Sequence, residues 1–265
     1  MIRTQDDLLA ILRSYEAIAL IGNSEGVKID AIVRDLPERT LFIFFTGCAK
    51  VLNGPFPRDA MLCHRLIKNG TAFLKSQRHF DKAYSFFPRG LKGECGIIAD
   101  RGGEHEATLA APRRSDLLPV VLDFDHAIGP IYPAAKMPTT GFAVALWLLG
   151  ELPDAKIWLC GFTGVAGLEF HLYHDHDWTF EQTALDLFQR SGRLSRHGAG
   201  SARDEDGLAR LKRRFPEFSD GEIALVATEV LARRFGGMER QMAKLWSMTK
   251  IPRKIRGFFR RMRSR

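Results

Sequence analysis

Two short, uninterrupted apolar runs constrain the fold of this chain more than any other feature. Residues 17–21 read Ala-Ile-Ala-Leu-Ile, and residues 41–45 read Leu-Phe-Ile-Phe-Phe. A strand that is apolar at every position must be covered on both faces, as the central strands of a parallel sheet are. The runs therefore predict an α/β fold in which helices cover both faces of a mostly parallel sheet.

The rest of the chain alternates between apolar runs and helical patterns, which favours the same fold class. The further elements that we expect are strands at 71–74, 117–123 and 156–161, and helices at 6–15, 57–69, 142–149, 180–191, 204–214 and 219–235. Residues 84–103 show no clear pattern and are expected to be irregular. The predicted organisation is an α/β domain over 1–191, a helical C-terminal extension over 192–249 and a basic tail over 250–265.

The composition is that of a globular protein with reduced thiols. At 265 residues and 45% hydrophobic content, the chain can bury a full core. Its four cysteines form no CxxC pair and lack the spacing of metal ligands, which indicates buried, reduced thiols in a cytosolic protein. They are Cys48, Cys63, Cys95 and Cys160. The charged first residues and the absence of a long apolar run predict neither a signal peptide nor a membrane span.

The positive charge of the chain is concentrated at its C-terminal end. Residues 250–265 carry eight basic side chains and no acidic one, which equals the net charge of +8 for the whole chain. Apolar residues alternate with these charges at helical spacing, a pattern that suits an amphipathic segment on anionic lipid headgroups. Nucleic acid is the alternative partner, but the rest of the sequence contains no basic, aromatic-rich reading motif. We therefore expect a peripheral protein on the inner face of the cytoplasmic membrane.

The most polar stretch of the chain directly follows a predicted strand. Residues 171–181 read His-Leu-Tyr-His-Asp-His-Asp-Trp-Thr-Phe-Glu and hold three histidines and three carboxylates. A histidine titrates near neutral pH, so one can accept a proton from an attacking hydroxyl while another neutralises a leaving phosphate. The stretch is therefore our first candidate for an acid/base site.

Three other interpretations of this stretch stay open. Thr179 with Gln182 fits a capping box at the start of a helix, in which Asp177 and Glu181 favour the N-terminus. Alternating His and Asp residues also occur in zinc hydrolases, and the run Asp-Phe-Asp-His at 123–126 is either a further set of metal ligands or a plain strand-end turn. The third interpretation is a solvated loop without a role.

Two further segments suit the binding of an anion or a nucleotide. Gly22, Asn23 and Ser24 form a glycine-rich turn after the first strand, where backbone amides can approach a phosphate. A dinucleotide site needs the GxGxxG pattern, which is absent, so we expect no NAD. Thr139 and Thr140 stand at a predicted helix start, whose unpaired N–H groups bind carboxylate or phosphate well. A plain threonine N-cap is the alternative.

The order of these segments resembles the sialyltransferases, which transfer sialic acid from CMP-sialic acid to a glycan hydroxyl. Members of that family carry a glycine-and-asparagine turn after the first strand, a Pro-Ser-Thr-Gly helix start, a strand ending in Gly-Phe, a short His/Tyr motif and a His-x-x-x-x-Glu motif. The corresponding segments here are Gly22-Asn23-Ser24, Pro138-Thr139-Thr140-Gly141, Gly161-Phe162, His171-Leu172-Tyr173-His174, and His176 with Glu181. The resemblance spans residues 17–190.

The resemblance implies a Rossmann-like, GT-A-type fold and a role for each matched residue. His176 is similar to the general base that deprotonates the acceptor hydroxyl, with Glu181 beside it, and His171 is similar to the histidine that supports the departing phosphate. The other matched residues are similar to the donor-binding residues of the family: Gly22, Asn23, Ser24, Thr139, Thr140, Gly141, Gly161, Phe162, Tyr173 and His174. No metal ion or other cofactor is implied, because hydrogen bonds and one imidazolium can support CMP as a leaving group.

The resulting expectation is an inverting CMP-sugar glycosyltransferase of bacterial type. Sialic acid and Kdo both present an anomeric carboxylate, so both fit as the donor sugar. The basic tail suggests a lipid-linked or surface glycan acceptor, such as lipopolysaccharide or capsule. A metal-dependent hydrolase that uses residues 171–177 is the alternative, and a non-catalytic, membrane-associated nucleotide-binding module is the third hypothesis.

Overall fold

The chain forms two compact units, Met1–Ala199 and Gly200–Arg265. The computed structural model describes residues 4–24, 26–65, 77–99, 120–123, 131–133, 136–164, 173, 175–198, 215–229, 231 and 235. The first unit extends past residue 191, where we expected the α/β domain to end, because a short strand at Ser195–His197 joins its sheet. That strand consists of polar residues, so the sequence contains no apolar run from which it could be predicted.

Seven parallel strands form one sheet in the order β5-β4-β3-β2-β1-β6-β7. Along the chain the strands are β1 (Ala17–Ile21), β2 (Thr40–Phe45), β3 (Ala60–Arg65), β4 (Gly93–Ile98), β5 (Val120–Asp123), β6 (Lys156–Cys160) and β7 (Ser195–His197). The order reverses at β1, because β2 to β5 lie on one side of it and β6 and β7 on the other. The expected α/β class with a Rossmann-like sheet is confirmed.

Helices cover both faces of the sheet. They are α1 (Gln5–Arg13), α2 (Ile29–Asp35), α3 (Gln77–Ser85), α4 (Thr140–Glu151) and α5 (Trp178–Arg190). Successive side chains of β1 enter opposite cores: Ile18 and Leu20 pack in the core that contains α1 and α4, whereas Ala19 and Ile21 pack in the core that contains α2. This burial on both faces is why the strand is apolar at every position.

Two of the strands lie where the sequence predicted otherwise. Residues 60–65 form β3, so the helix expected at 57–69 is wrong, and residues 93–98 form β4 inside the region that was expected to be irregular. The first part of β3 reads Ala-Met-Leu, which are good helix formers, but its burial between two strands overrides that propensity. The strand expected at 71–74 lies outside the described residues.

The four cysteines are free and buried, as the sequence predicted. Cys63 and Cys95 are direct partners across β3 and β4. Burial raises the pKa of Cys48 to about 12 and that of Cys160 to about 12. These thiols therefore stay protonated at neutral pH and serve as small apolar core residues.

The described part of the second unit is mainly a helix over residues 220–229. Ser219 and Glu222 cap its start reciprocally: Ser219 Oγ accepts from Glu222 N at 3.2 Å, and Glu222 Oε2 accepts from Ser219 N at 2.7 Å. The helix expected at 204–214 lies outside the described residues. Within the described part of the chain, no helix has the length and apolar content needed to cross a membrane.

The turns after β1 and β6 touch at the middle of the sheet's carboxyl edge. The N–H of Gly22 donates to the carbonyl of Cys160 at 2.7 Å. Gly161 has a φ of +77°, and a Cβ there would lie 2.4 Å from Cγ2 of Val27 and 2.9 Å from Oγ of Ser24. Both the left-handed backbone and the lack of space therefore require glycine at this position.

We expect Gly161→Ala to lower the free energy of unfolding by about 1–3 kcal/mol, because the new methyl group meets both backbone strain and close contacts. Chemical denaturation followed by circular dichroism measures the change. Gly150→Ala is the matched control: it lies on α4, and its Cβ would meet no atom within 4 Å. The control should be stabilising by up to about 1 kcal/mol, since alanine has the higher helix propensity. Equal effects of the two substitutions would contradict the packing described.

Candidate functional site

The candidate site lies at the carboxyl edge of the sheet, where the strand order reverses between β1 and β6. Open α/β sheets bind ligands in the crevice that forms at this point, because the connections leave the two strands in opposite directions. Residues 22–24 form the turn after β1, and residues 161–162 form the turn after β6. Both turns belong to the segments that the sequence predicted to bind the donor.

Two buried polar atoms of the first turn have no hydrogen-bond partner among the described residues: Oδ1 of Asn23 and Oγ of Ser24. The Asn23 side chain lies against Gly47, where a Cβ would come within 2.5 Å of Nδ2. Ser24 is 9% exposed. Since buried polar atoms are nearly always paired in folded proteins, these two are suited to hydrogen-bond a ligand.

Phe162 packs the turn after β6 against the start of α4. A Cβ on Gly141 would lie 2.7 Å from Cε1 of Phe162, and a Cβ on Gly22 would lie 3.1 Å from its Cδ2. The carbonyl of Phe162 accepts a hydrogen bond from the Arg196 guanidinium at 2.6 Å. Four of the predicted donor-binding residues are thus packed together: Gly22, Gly141, Gly161 and Phe162.

A buried carboxylate fixes the start of α4. Glu181 on α5 is 1% exposed. Its Oε1 accepts from the N–H of Thr139 at 2.7 Å and from the hydroxyl of Tyr132 at 2.7 Å, and its Oε2 accepts from the hydroxyl of Thr139 at 2.7 Å. The Tyr132 hydroxyl in turn accepts from the N–H of Asp177 at 3.0 Å. The first turns of α4 and α5 are therefore held together by one polar network.

Thr139 is the N-cap of α4, as the alternative interpretation of this helix start predicted. Its hydroxyl accepts from the N–H of Phe142 at 3.1 Å while donating to Glu181. The Thr139 hydroxyl therefore has both a donor and an acceptor within the protein. The N–H groups of Thr140 and Gly141, in the first turn of α4, have no intrahelical acceptor, and the described residues provide no hydrogen-bond partner for the Thr140 hydroxyl. The unpaired groups at this helix start therefore belong to Thr140 and Gly141.

His176 is held beside the same segment in a defined tautomer. Its Nδ1 lies 2.8 Å from the carbonyl of Met137, whose own N–H donates to the carbonyl of Asp175 at 2.9 Å. A carbonyl only accepts, so Nδ1 carries a hydrogen, and in the neutral ring Nε2 is then unprotonated. Burial, assisted by the Arg65 guanidinium, lowers the pKa of His176 below its ordinary value. The ring is therefore suited to act as a base at neutral pH.

Two aromatic rings flank His176. The ring of Trp178 stands edge-on to it at 5.6 Å between centroids, and the ring of Tyr173 does so at 6.4 Å. The indole N–H of Trp178 donates to the carbonyl of Tyr173 at 2.9 Å, which ties the two together. Tyr173 itself is 62% exposed, so this predicted donor-binding residue stands at the solvent side of the imidazole.

The start of α5 differs from the sequence prediction. Asp177 is its N-cap and accepts from the N–H of Phe180 at 2.9 Å, so the capping box expected between Thr179 and Gln182 is wrong. Aspartate is itself a favoured N-cap, so the sequence also allowed a helix that starts two residues earlier, with Asp177 rather than Thr179 as its cap. Gln182 accepts from the Arg196 guanidinium at 3.2 Å instead.

Glu181 was expected beside His176, and its carboxylate is hydrogen-bonded to Tyr132 and Thr139. Two members of the predicted set, His171 and His174, lie outside the described residues.

Two residues that organise the site were not predicted from the sequence. Tyr132, which bonds Glu181, lies in a loop without a pattern, so nothing in the sequence singles it out. Arg65, at the end of β3, donates to the carbonyl of Pro138 at 3.0 Å. The sequence predicted a helix over this segment, although two polar residues, His64 and Arg65, end its apolar run, as is typical of the functional end of a parallel strand.

Metal ligation was the main alternative for the polar stretch. Among the described residues, no three His, Cys, Asp or Glu side chains are grouped so that they could hold a metal ion. Residues 124–126 of the run at 123–126, like His171 and His174, lie outside that part of the chain.

Comparison with known proteins identifies no relative: no family model, no curated protein and no solved structure matches this chain.

We expect Glu181→Gln to become more stable relative to the native protein as pH rises. Burial raises the pKa of Glu181 above its ordinary value, although the hydrogen bonds from Tyr132 and Thr139 oppose this effect. The folded state thus binds the proton more tightly than the unfolded state, and native stability falls as pH rises from about 4 through the raised pKa. Glutamine cannot ionise, so the variant lacks this loss.

Urea unfolding of both proteins between about pH 4 and pH 8 measures the difference. Glu151→Gln, at the exposed end of α4, controls for the loss of one negative charge. A difference that declines with pH would show that the folded protein prefers the ionised carboxylate.

Proposed function

We propose that the protein is an inverting, metal-independent glycosyltransferase. It transfers a 2-keto sugar acid, sialic acid or Kdo, from its CMP-activated donor to a hydroxyl group of a bacterial surface glycan such as lipopolysaccharide or capsule. The observation that carries the proposal is the meeting of four segments at one edge of the sheet. They are the turn at 22–24, the helix start at 139–141, the turn at 161–162 and the base candidate His176. These belong to four of the five segments on which the resemblance to sialyltransferases rests.

The chemistry of the edge suits an anionic donor. The N–H groups of Thr140 and Gly141 carry the partial positive charge of a helix N-terminus, which favours a phosphate or a carboxylate. Asn23 and Ser24 add buried polar atoms on the neighbouring turn. A CMP-activated sugar acid carries both a phosphate and a carboxylate. We propose that the helix start and the turn with Asn23 and Ser24 together bind these two groups.

The transfer step needs a base for the acceptor hydroxyl, and we assign that role to Nε2 of His176. As the acceptor oxygen forms its bond to the anomeric carbon, the bond from that carbon to the phosphate oxygen breaks, and the hydroxyl proton passes to Nε2. CMP leaves as a phosphate monoester from the opposite side, so the anomeric centre inverts. Glu181 contributes as a positioning residue, because its carboxylate is committed to Thr139 and Tyr132.

We expect CMP to bind without a metal, and His176→Gln to separate binding from turnover. Calorimetry should give the same CMP affinity with and without EDTA, in the native protein and in His176→Gln. Release of CMP from CMP-sialic acid or CMP-Kdo in the presence of acceptor should fall about 10²–10⁴-fold in the variant, because the base is lost. The native rate should rise with pH through the lowered pKa of His176 and reach its plateau by neutral pH.

His197→Gln is the matched histidine control, since His197 pairs with Asp35 at 3.0 Å on β7 and takes no part in the proposed step. It should keep both CMP binding and turnover. Binding that EDTA abolishes would favour the metal-dependent hydrolase, and CMP binding without turnover of any donor would favour a non-catalytic module.

We further propose that residues 250–265 hold the enzyme on an anionic membrane surface, where a lipid-linked acceptor is found. Their eight basic side chains contribute about 1 kcal/mol each near such a surface, which in sum is enough for reversible binding.

Deleting residues 250–265 should release the protein from vesicles that contain anionic lipid and leave transfer to a soluble acceptor unchanged. Cosedimentation with anionic and with zwitterionic vesicles measures the first effect, and CMP release measures the second. Undiminished binding of the truncated protein to anionic vesicles would place the membrane contact elsewhere in the chain.

A further inference from the structure

Arg65 joins three elements at the edge of the sheet that carries the site. It is the last residue of β3, and its side chain is part-buried. One guanidinium nitrogen, Nη1, donates to the carbonyl of Pro138 at 3.0 Å, and the other, Nη2, donates to the carbonyl of Ala99 at 3.2 Å. Ala99 follows β4, and Pro138 precedes α4, so one side chain links two strand ends to a helix start.

The segment that Arg65 holds is also the segment that positions the proposed base. Met137 accepts from His176, Pro138 accepts from Arg65, and Thr139 is bonded to Glu181. Three consecutive residues are thus fixed by three different side chains. Peptide units are planar, and proline fixes its own φ. A rotation of the Pro138 carbonyl therefore also reorients the Met137 carbonyl and the Thr139 N–H.

The charge of Arg65 acts on the same two groups. An arginine stays protonated at any physiological pH. Its positive charge opposes protonation of His176, as does that of Lys136, whereas Asp175 favours it. The same charge favours the ionised form of Glu181. Arg65 also hydrogen-bonds the segment between the two groups, at the carbonyl of Pro138.

We infer that Arg65 is a positioning residue of the site: its guanidinium fixes the segment 137–139 and presents a permanent positive charge to His176 and Glu181. The catalytic meaning of this role rests on the proposed function, in which His176 is the base. The geometric and electrostatic parts are properties of the protein without substrate, so they are measured without turnover.

The test is an NMR titration of His176 in the native protein, Arg65→Gln and Arg65→Lys, with the His176 signal assigned from His176→Gln. Arg65→Gln should raise the pKa of His176 by up to about one pH unit, because a cation is removed from its surroundings. Arg65→Lys keeps the charge and should leave the pKa near the native value. Both variants should shift the amide resonances of residues 139–141, since neither substitute has the rigid, planar guanidinium fork that bonds the two carbonyls in the native protein.

Arg58→Gln is the matched control. Arg58 also donates from its guanidinium to backbone carbonyls, those of Val33, Pro37 and Glu38, but it lies at the other end of the sheet, near the start of β3. It should change neither the pKa of His176 nor the amide resonances of residues 139–141.

An unchanged His176 pKa in folded Arg65→Gln would overturn the electrostatic part. Unchanged amide resonances in Arg65→Lys would overturn the positioning part, and this variant keeps the test decisive if the glutamine variant fails to fold. If both shifts occur but no CMP-sugar is turned over, the role of Arg65 stands and the proposed transfer fails.

Discussion

The carboxylate of Glu181, in the first turn of α5, binds Thr139 at the start of α4, 42 positions earlier in the sequence. Taking a carboxylate out of water costs several kcal/mol unless hydrogen bonds replace its hydration. Three donors offset part of that cost here, two from Thr139 and one from Tyr132, and each bond to a charged group contributes about 1.5–3 kcal/mol. Any arrangement that separates these groups leaves a buried charge unpaired, so the network permits one relative placement of α4 and α5.

That placement brings the N-termini of two helices to the edge of the sheet where the strand order reverses. Each N-terminus carries partial positive charge, and Arg65 adds a full one. Burial is the main cause of the lowered pKa of His176, and the charge of Arg65 lowers it further. The division of roles follows from the electrostatics: fixed N–H groups and a guanidinium suit the stabilisation of anions, and the imidazole stays neutral and basic.

The strands that could be predicted from the sequence are those whose burial on both faces requires an apolar residue at every position. Residues 17–21 and 41–45 are buried on both faces, so an apolar run is enough to identify them. Residues 60–65 begin with three good helix formers, and residues 93–98 include two glycines and a glutamate; only their neighbours in the sheet make them strands. Local patterns do not contain that information, because the partners lie tens of residues away.

The site shows the same limit in a sharper form. The sequence singled out Thr139 and Glu181, but it did not predict that they hydrogen-bond each other. Thr139 and Glu181 hydrogen-bond each other, whereas the Thr140 hydroxyl and Nε2 of His176 have no hydrogen-bond partner among the described residues. A carboxylate and a hydroxyl at a helix start are equally suited to a cap and to a substrate contact, so residue type alone cannot separate the roles. The two interpretations are complementary here, because the cap made by one threonine holds its neighbour where an anion can reach it.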